Sequence, residues 1–128
     1  MKEGLCPCYS NLPYAECCAP YHQGSLPLTP VKLMRSRYAA YALDLADYLI
    51  ATTHPENPRY TPHFSQWKQE IHEFSKKTVF AGLIILAEDA NHVTFKAILK
   101  QNNQDVSFTE KSLFKKVKGA WLYHSGQY

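Results

Sequence analysis

The chain of 128 residues lacks several features that would place it in a common class of protein. It has no apolar run near the roughly 18 residues of a membrane-spanning helix, and residues 1–5 do not form the apolar stretch of a secretory signal. The formal net charge of +3 is small, so charge alone does not indicate a general polyanion-binding protein. Cysteine is absent after residue 18. We therefore expect a cytoplasmic protein in a reducing compartment, where clustered cysteines favour metal over disulfides.

All four cysteines lie in one stretch of thirteen residues, at Cys6, Cys8, Cys17 and Cys18. Four soft ligands at this spacing are the set that a tetrahedral structural zinc site needs. Adjacent Cα atoms lie about 3.8 Å apart, below the range of about 4.4–6.8 Å for bridged cysteines, so only the two cross-connected disulfide pairings remain as alternatives. We predict one structural Zn²⁺ on four thiolates, with no open position for catalysis. His22 is interpreted as a loop histidine rather than as an alternative ligand.

The rest of the chain predicts helices followed by strands. Thr29 and Pro30 are typical of a helix start, and an apolar stripe of helical period follows as far as about Thr53. We expect a break near Leu43, with Asp44 as the cap of a fresh helix. A third helix is predicted over 63–75. Segments rich in β-branched and aromatic residues, separated by turn residues, then predict strands at 78–87, 91–100, 106–117 and 120–125. Helices first and an antiparallel sheet afterwards is the α+β pattern.

Two sets of motifs resemble known families. The C-x-C-x8-C-C pattern of residues 6–18 resembles the SEC-C motif, a small zinc module found at the carboxyl terminus of the translocation motor SecA and in many other bacterial proteins. Five further motifs of this chain resemble the YchJ family. They are LMRSRYxxY from Leu33, DYL from Asp47, THP from Thr53, ExSxF from Glu110 and GxWxY from Gly119.

The YchJ resemblance implies a fold. Members join an amino-terminal SEC-C motif to an α+β domain in which helices pack on a curved antiparallel sheet, a cystatin-like cone similar to nuclear transport factor two. It implies a SEC-C-like zinc motif at 1–24 and the cone-shaped domain at 30–128. It implies no biochemical activity.

The strand predicted at 106–117 contributes two residues to a candidate pocket. Its alternation places Glu110 and Ser112 on the inward face, and a buried carboxylate needs a partner. We expect Arg37 of the first helix to pair with Glu110, with a tyrosine hydroxyl completing the hydrogen bonds. The alternative interpretation is a pocket for a small polar ligand, with His54 as a general base. Its candidate residues are Arg35, Arg37, Tyr41, His54, Glu110 and Ser112.

Taken together, the sequence favours a zinc-binding adaptor or interaction protein with a protein or ribonucleoprotein partner. Six lysines in the predicted sheet half make nucleic acid a further alternative partner, for which the small net charge gives little support. The alternative function is an enzyme or small-ligand-binding protein that uses the cone around Glu110, Arg37 and His54. No nucleophile–base pair or paired-carboxylate spacing is visible, so the sequence does not specify a reaction.

Overall fold

Four helices precede five strands in residues 4–128, which the computed structural model describes. The first three residues of the predicted zinc motif lie outside this range. A short 3-10 turn spans Tyr14–Glu16. The helices are α1 (Ala19–His22), α2 (Pro30–Leu43), α3 (Ala46–Ala51) and α4 (Phe64–Lys77). The strands are β1 (Val79–Glu88), β2 (His92–Gln101), β3 (Gln104–Asp105), β4 (Phe108–Val117) and β5 (Ala120–Gln127).

The strands form one antiparallel sheet in the order β1-β2-β4-β5, and β3 pairs with the end of β2. Helix α2 packs on this sheet, and α2, α3 and α4 pack on each other. This confirms the predicted α+β class. Each predicted long strand lies within two residues of its observed bounds, because turn residues mark both ends of each apolar segment.

The start of α2 is the predicted one. Thr29 is the N-cap, its side-chain oxygen accepts the Lys32 backbone N–H at 3.3 Å, and Pro30 is the first helical residue. The break after Leu43 is also confirmed. The predicted role of Asp44 is wrong, however. Asp44 adopts the left-handed conformation (φ 59°) and closes α2 as its C-cap, whereas Leu45 is the N-cap of α3.

Helix α2 lies at the centre of the packing, because different faces of it enter three apolar clusters. Its Leu33, Met34 and Tyr38 pack with the inner face of the sheet. Its Ala40 packs with α3 and α4. Its Ala39 lies in the cluster formed by Cys6, Cys8 and Cys18. Helix α2 therefore contacts both the amino-terminal segment and the sheet.

Strand β1 contains two register shifts, between Phe80 and Gly82 and between Ile85 and Ala87. At the first bulge the Tyr38 hydroxyl donates to the Gly82 carbonyl at 2.8 Å and accepts the Gly82 N–H at 3.3 Å. A helix side chain thus takes over backbone hydrogen bonds at this bulge.

Candidate functional site

The four cysteine sulfurs form one cluster, in which all lie within 4.8 Å of one another. The Cys8 and Cys17 sulfurs are 3.5 Å apart, and those of Cys17 and Cys18 are 3.9 Å apart. In a tetrahedral site with metal–sulfur bonds of about 2.3 Å, the sulfurs lie about 3.8 Å from one another. The donor set and its spacing therefore fit a tetrahedral metal ion. All four thiols are free, so none is in a disulfide.

Turns between the two cysteine pairs bring them together. The Cys6 N–H donates to the Leu12 carbonyl at 2.9 Å, which folds the segment back on itself. Tyr9 and Asn11 adopt positive φ angles (63° and 67°) in this reversal. The 3-10 turn follows, and the Cys17 N–H donates to the Tyr14 carbonyl at 3.0 Å. Local turn chemistry alone thus brings the second cysteine pair back to the first.

Hydrogen bonds among the buried thiols shift their pKa values in opposite directions. Hydrogen bonding with Cys18 and then with Cys6 lowers the pKa of Cys8. Hydrogen bonding with Cys6 and Cys8 raises the pKa of Cys18, and burial adds to this. Thiols bind zinc as thiolates, so the protons of the cluster leave when a metal ion binds.

Arg35 supplies a positive charge beside the cluster. Its Nη1 atom donates to the Cys8 carbonyl at 3.0 Å and lies 4.0 Å from the Cys8 sulfur. A site of four thiolates and one divalent ion carries a net charge of about −2, so this guanidinium offsets part of that charge. Arg35 therefore contacts the cysteine cluster and not the predicted pocket.

His22 ties the cysteine segment to α2. Its Nε2 lies 2.8 Å from the Ser36 carbonyl, to which it must donate, and its Nδ1 lies 2.6 Å from the Tyr14 hydroxyl, from which it accepts. Burial lowers the pKa of His22, which favours this neutral state. Both ring nitrogens are thus engaged, in agreement with a role other than metal ligand. A further tie runs from the Tyr9 hydroxyl to the Phe80 carbonyl at 2.7 Å.

The predicted interior carboxylate is buried, but its partner differs from the prediction. Glu110 Oε2 accepts from the Ser112 hydroxyl at 2.5 Å and from the Tyr123 hydroxyl at 2.8 Å. Arg37 instead lies over the Tyr123 ring, 4.8 Å from its centroid. The predicted direct Glu110–Arg37 ion pair is therefore wrong, whereas the predicted tyrosine hydroxyl is present.

Arg37 donates hydrogen bonds to oxygen atoms near the end of α3 and not to Glu110. Its Nη1 donates to the Leu49 carbonyl at 3.0 Å, to Thr52 Oγ1 at 2.7 Å and to Thr53 Oγ1 at 3.2 Å. The Nη1 atom thus has three oxygen acceptors within hydrogen-bond distance, none of which is a carboxylate. The arginine therefore joins α2 to the end of α3.

The six candidate pocket residues do not all lie in one place. Glu110, Ser112 and Arg37 lie around Tyr123, and Arg35 lies at the cysteine cluster. Tyr41 packs edge-on against Phe74, and His54 lies beside His124 with ring centroids 5.0 Å apart.

Two surface cavities, of about 320 and 580 Å³, are lined by residues outside the candidate set. The small-ligand pocket therefore stays a prediction.

Sequence reasoning missed two features of these sites. Gly126 lies against Glu110, where a Cβ atom would be 2.2 Å from Glu110 Oε2. Glu56 and His124 lie beside His54 and form a second polar cluster with it. The GxWxY motif drew attention to Tyr123, but no local pattern signalled either feature, because both depend on how β5 lies against distant parts of the chain.

Comparison with known proteins agrees with this architecture. The family model described as "YchJ, middle NTF2-like domain" matches residues 29–126. A UPF0225 protein of Yersinia pestis (strain Pestoides F) is 38% identical over 131 residues, which cover 95% of this chain and 82% of the relative. A UPF0225 protein of Yersinia pseudotuberculosis (strain YPIII) matches to the same extent.

Two solved structures of SEC-C motif containing proteins are similar to this one. The solution structure from Rhodopseudomonas palustris has a TM-score of 0.78 at 31% identity, covering 96% of this chain and 97% of the other. The crystal structure from Psychrobacter arcticus has a TM-score of 0.69 at 27% identity, covering 94% of this chain and 80% of the other.

Within residues 4–128, no helix has both the length and the apolar character needed to cross a membrane.

Proposed function

The chain belongs to the YchJ family, and from this we propose that it is a zinc-binding interaction protein whose four-cysteine cluster holds one structural Zn²⁺. The observation that carries the proposal is the convergence of four sulfurs from a thirteen-residue segment to tetrahedral spacing. Four thiolates fill the coordination shell of zinc, so the ion has a structural role. The similarity to two SEC-C motif containing proteins supports zinc as the metal.

The zinc ion would stabilise a segment that has little core of its own. Cys6, Cys8 and Cys18 are almost completely buried, and Ala39 of α2 completes their cluster. The free energy of zinc binding becomes folding free energy for such a segment. We keep the predicted division into a zinc motif at 1–24 and a domain at 30–128 as part of the proposal.

The junction of the zinc motif with the domain is the proposed contact surface for a protein or ribonucleoprotein partner. Pro7 and Tyr9 form one wall of the cavity of about 580 Å³, and residues 42–43 and 78–81 form the rest. Leu43 and Val79 beside it are 42% and 61% exposed. Exposed apolar residues that border a groove are typical of contact surfaces. A partner bound here would contact both parts of the chain, so its binding would depend on zinc.

Elemental analysis of protein purified without added zinc tests the metal. We expect about one zinc per chain, and Cys17→Ser should lower this content while the helices and sheet remain visible by circular dichroism. A folded wild-type protein with four titratable thiols and no metal would overturn the proposal.

The contact surface is tested by comparing the proteins that are captured by zinc-loaded wild type and by two matched variants. Val79→Asp places a charge at the groove, and Leu28→Asp places one at a linker residue that is 76% exposed. Capture of a defined partner should be lost in Val79→Asp and retained in Leu28→Asp. Equal capture by both variants would exclude this surface.

A further inference from the structure

A second cluster of potential metal ligands lies far from the cysteines along the chain. His54, Glu56 and His124 each offer one ligand atom, and the three atoms lie within 4.8 Å of one another. His124 Nε2 and Glu56 Oε1 are already 3.0 Å apart, a spacing at which two ligands can share one ion. The side chain of Glu56 is 65% exposed and that of His124 is 17% exposed, so solvent and ions can reach the cluster.

The backbone holds the two halves of this cluster together. The His54 N–H donates to the Tyr123 carbonyl and the Tyr123 N–H donates to the Thr52 carbonyl, both at 2.8 Å. The Asn57 side chain donates to the His124 carbonyl, also at 2.8 Å. The loop that carries His54 and Glu56 is therefore fixed to β5 on both sides of them. Small side-chain movements are enough to close the three ligand atoms around an ion.

The donor set identifies the chemical class of the ion. Two imidazole nitrogens and one carboxylate oxygen suit zinc and other divalent transition metals, and three protein ligands leave a position open to water or another ligand. We propose that His54, Glu56 and His124 bind a divalent ion of this class, with Zn²⁺ as the probe of choice. This site would have a free coordination position, whereas the four-cysteine site would have none. The inference does not depend on the function proposed for the cysteines.

Binding would move the ring proton of His124 and compete with a neighbouring cation. In the hydrogen bond with the Glu56 carboxylate, His124 Nε2 carries the ring proton. For Nε2 to bind an ion, this proton must be on Nδ1 instead, which lies 2.9 Å from the Ser125 hydroxyl oxygen and can donate to it. Hydrogen bonding with His124, followed by the charge of Lys115, lowers the pKa of Glu56, so its carboxylate is ionised and available. Lys115 Nζ lies 3.6 Å from Glu56 Oε1 and has to move away as the ion binds.

The test is a calorimetric titration of ZnCl₂ into protein that already carries one equivalent of zinc. We expect a second binding event, with shifts of the His54 and His124 ring resonances in NMR spectra. Glu56→Gln and His124→Asn should each lower the affinity of this second event by roughly tenfold or more, as expected when one of three ligands is lost. Lys115→Met should raise that affinity by about twofold to fivefold, which corresponds to the loss of one exposed ion pair.

His92→Asn is the matched control. His92 Nδ1 lies 3.0 Å from Asp89 Oδ1, so it is also a surface histidine paired with a carboxylate, but the pair belongs to no such cluster in residues 4–128. The second event should be unchanged in this variant. The proposal is overturned if wild type shows no second event, if Glu56→Gln and His124→Asn both leave it unaltered, or if His92→Asn weakens it equally.

Discussion

The contact between Gly126 and Glu110 gives the sharpest test of the interior. The Cα of Gly126 faces the buried carboxylate, and an added Cβ would lie 2.2 Å from Glu110 Oε2 and 2.8 Å from the Tyr123 hydroxyl. Ordinary contacts of a Cβ begin at 3.4 Å, so Gly126→Ala must displace the carboxylate by about 1 Å. This movement breaks or lengthens the hydrogen bonds from Ser112 and Tyr123, which are 2.5 and 2.8 Å long.

The magnitude follows from these contacts. Overpacking costs about 1–3 kcal/mol, and each of the two hydrogen bonds contributes about 0.5–1.5 kcal/mol. Replacing glycine by alanine also stabilises the protein by about 0.4–1 kcal/mol, because it lowers the conformational entropy of the unfolded chain and Gly126 does not have a positive φ. We expect Gly126→Ala to lower the free energy of unfolding by about 2–4 kcal/mol, with a fall in Tm of about 10 °C.

The assay is urea unfolding followed by circular dichroism in two backgrounds. In a Glu110→Ala background the obstructing carboxylate is gone, so Gly126→Ala should be nearly neutral, and the double-mutant cycle should give a coupling of about 2–4 kcal/mol. Gly82→Ala is the control, because its added Cβ would meet only the side chain of Ile98, with Cδ1 at 3.0 Å and Cβ at 3.4 Å, and not Glu110. It should not couple to Glu110→Ala.

Equal destabilisation by Gly126→Ala in both backgrounds would refute the reasoning, because the clash would then not involve Glu110. A change below about 0.5 kcal/mol in the wild-type background would also refute it, since surface substitutions commonly produce changes of that size.

Two further predictions concern α2. Arg35→Met keeps the apolar stem but removes the hydrogen bond to the Cys8 carbonyl, and it should weaken zinc binding by about tenfold, equivalent to about 1.4 kcal/mol, in a chelator competition. The exposed Lys32→Met is its control, and equal affinity of the two variants would contradict a special role for Arg35. Thr29→Ala removes the N-cap and should cost about 1 kcal/mol in urea unfolding. An unchanged unfolding midpoint would show that Pro30 alone fixes the start of the helix.

Features with a local cause could be predicted from the sequence. The cap at Thr29, the strand bounds and the grouping of four cysteines all arise from residues close together in the chain. The role of Asp44 could not be inferred in this way, because aspartate is suited both to an N-cap and, occasionally, to the left-handed conformation. Only the observed backbone, with φ at 59°, decides between the two.

Contacts between distant segments were predicted less well. The inward direction of Glu110 follows from alternation along β4, whereas Arg37 is indicated as its partner only by its position beside Tyr38 and Tyr41 on the apolar stripe of the first helix. The end of α3 places the oxygens of Thr52 and Thr53 within reach of Arg37, and nothing in the spacing of the sequence reveals this. Glu56 and His124 are 68 residues apart in the chain and pair across a loop and a strand. Neither periodicity nor a motif could have indicated that pair.

The outer strands of the sheet are covered in two different ways, and this affects how the protein resists aggregation. Unpaired backbone groups on an edge strand form a template to which another chain can add. The loop around Thr53 blocks part of β5 by pairing with Tyr123. On β1, the hydroxyl of Tyr9 binds the Phe80 carbonyl at the bulge. Because Tyr9 belongs to the cysteine segment, this cover of β1 would depend on the proposed zinc ion, and a scarcity of zinc would then expose a template for intermolecular strand pairing.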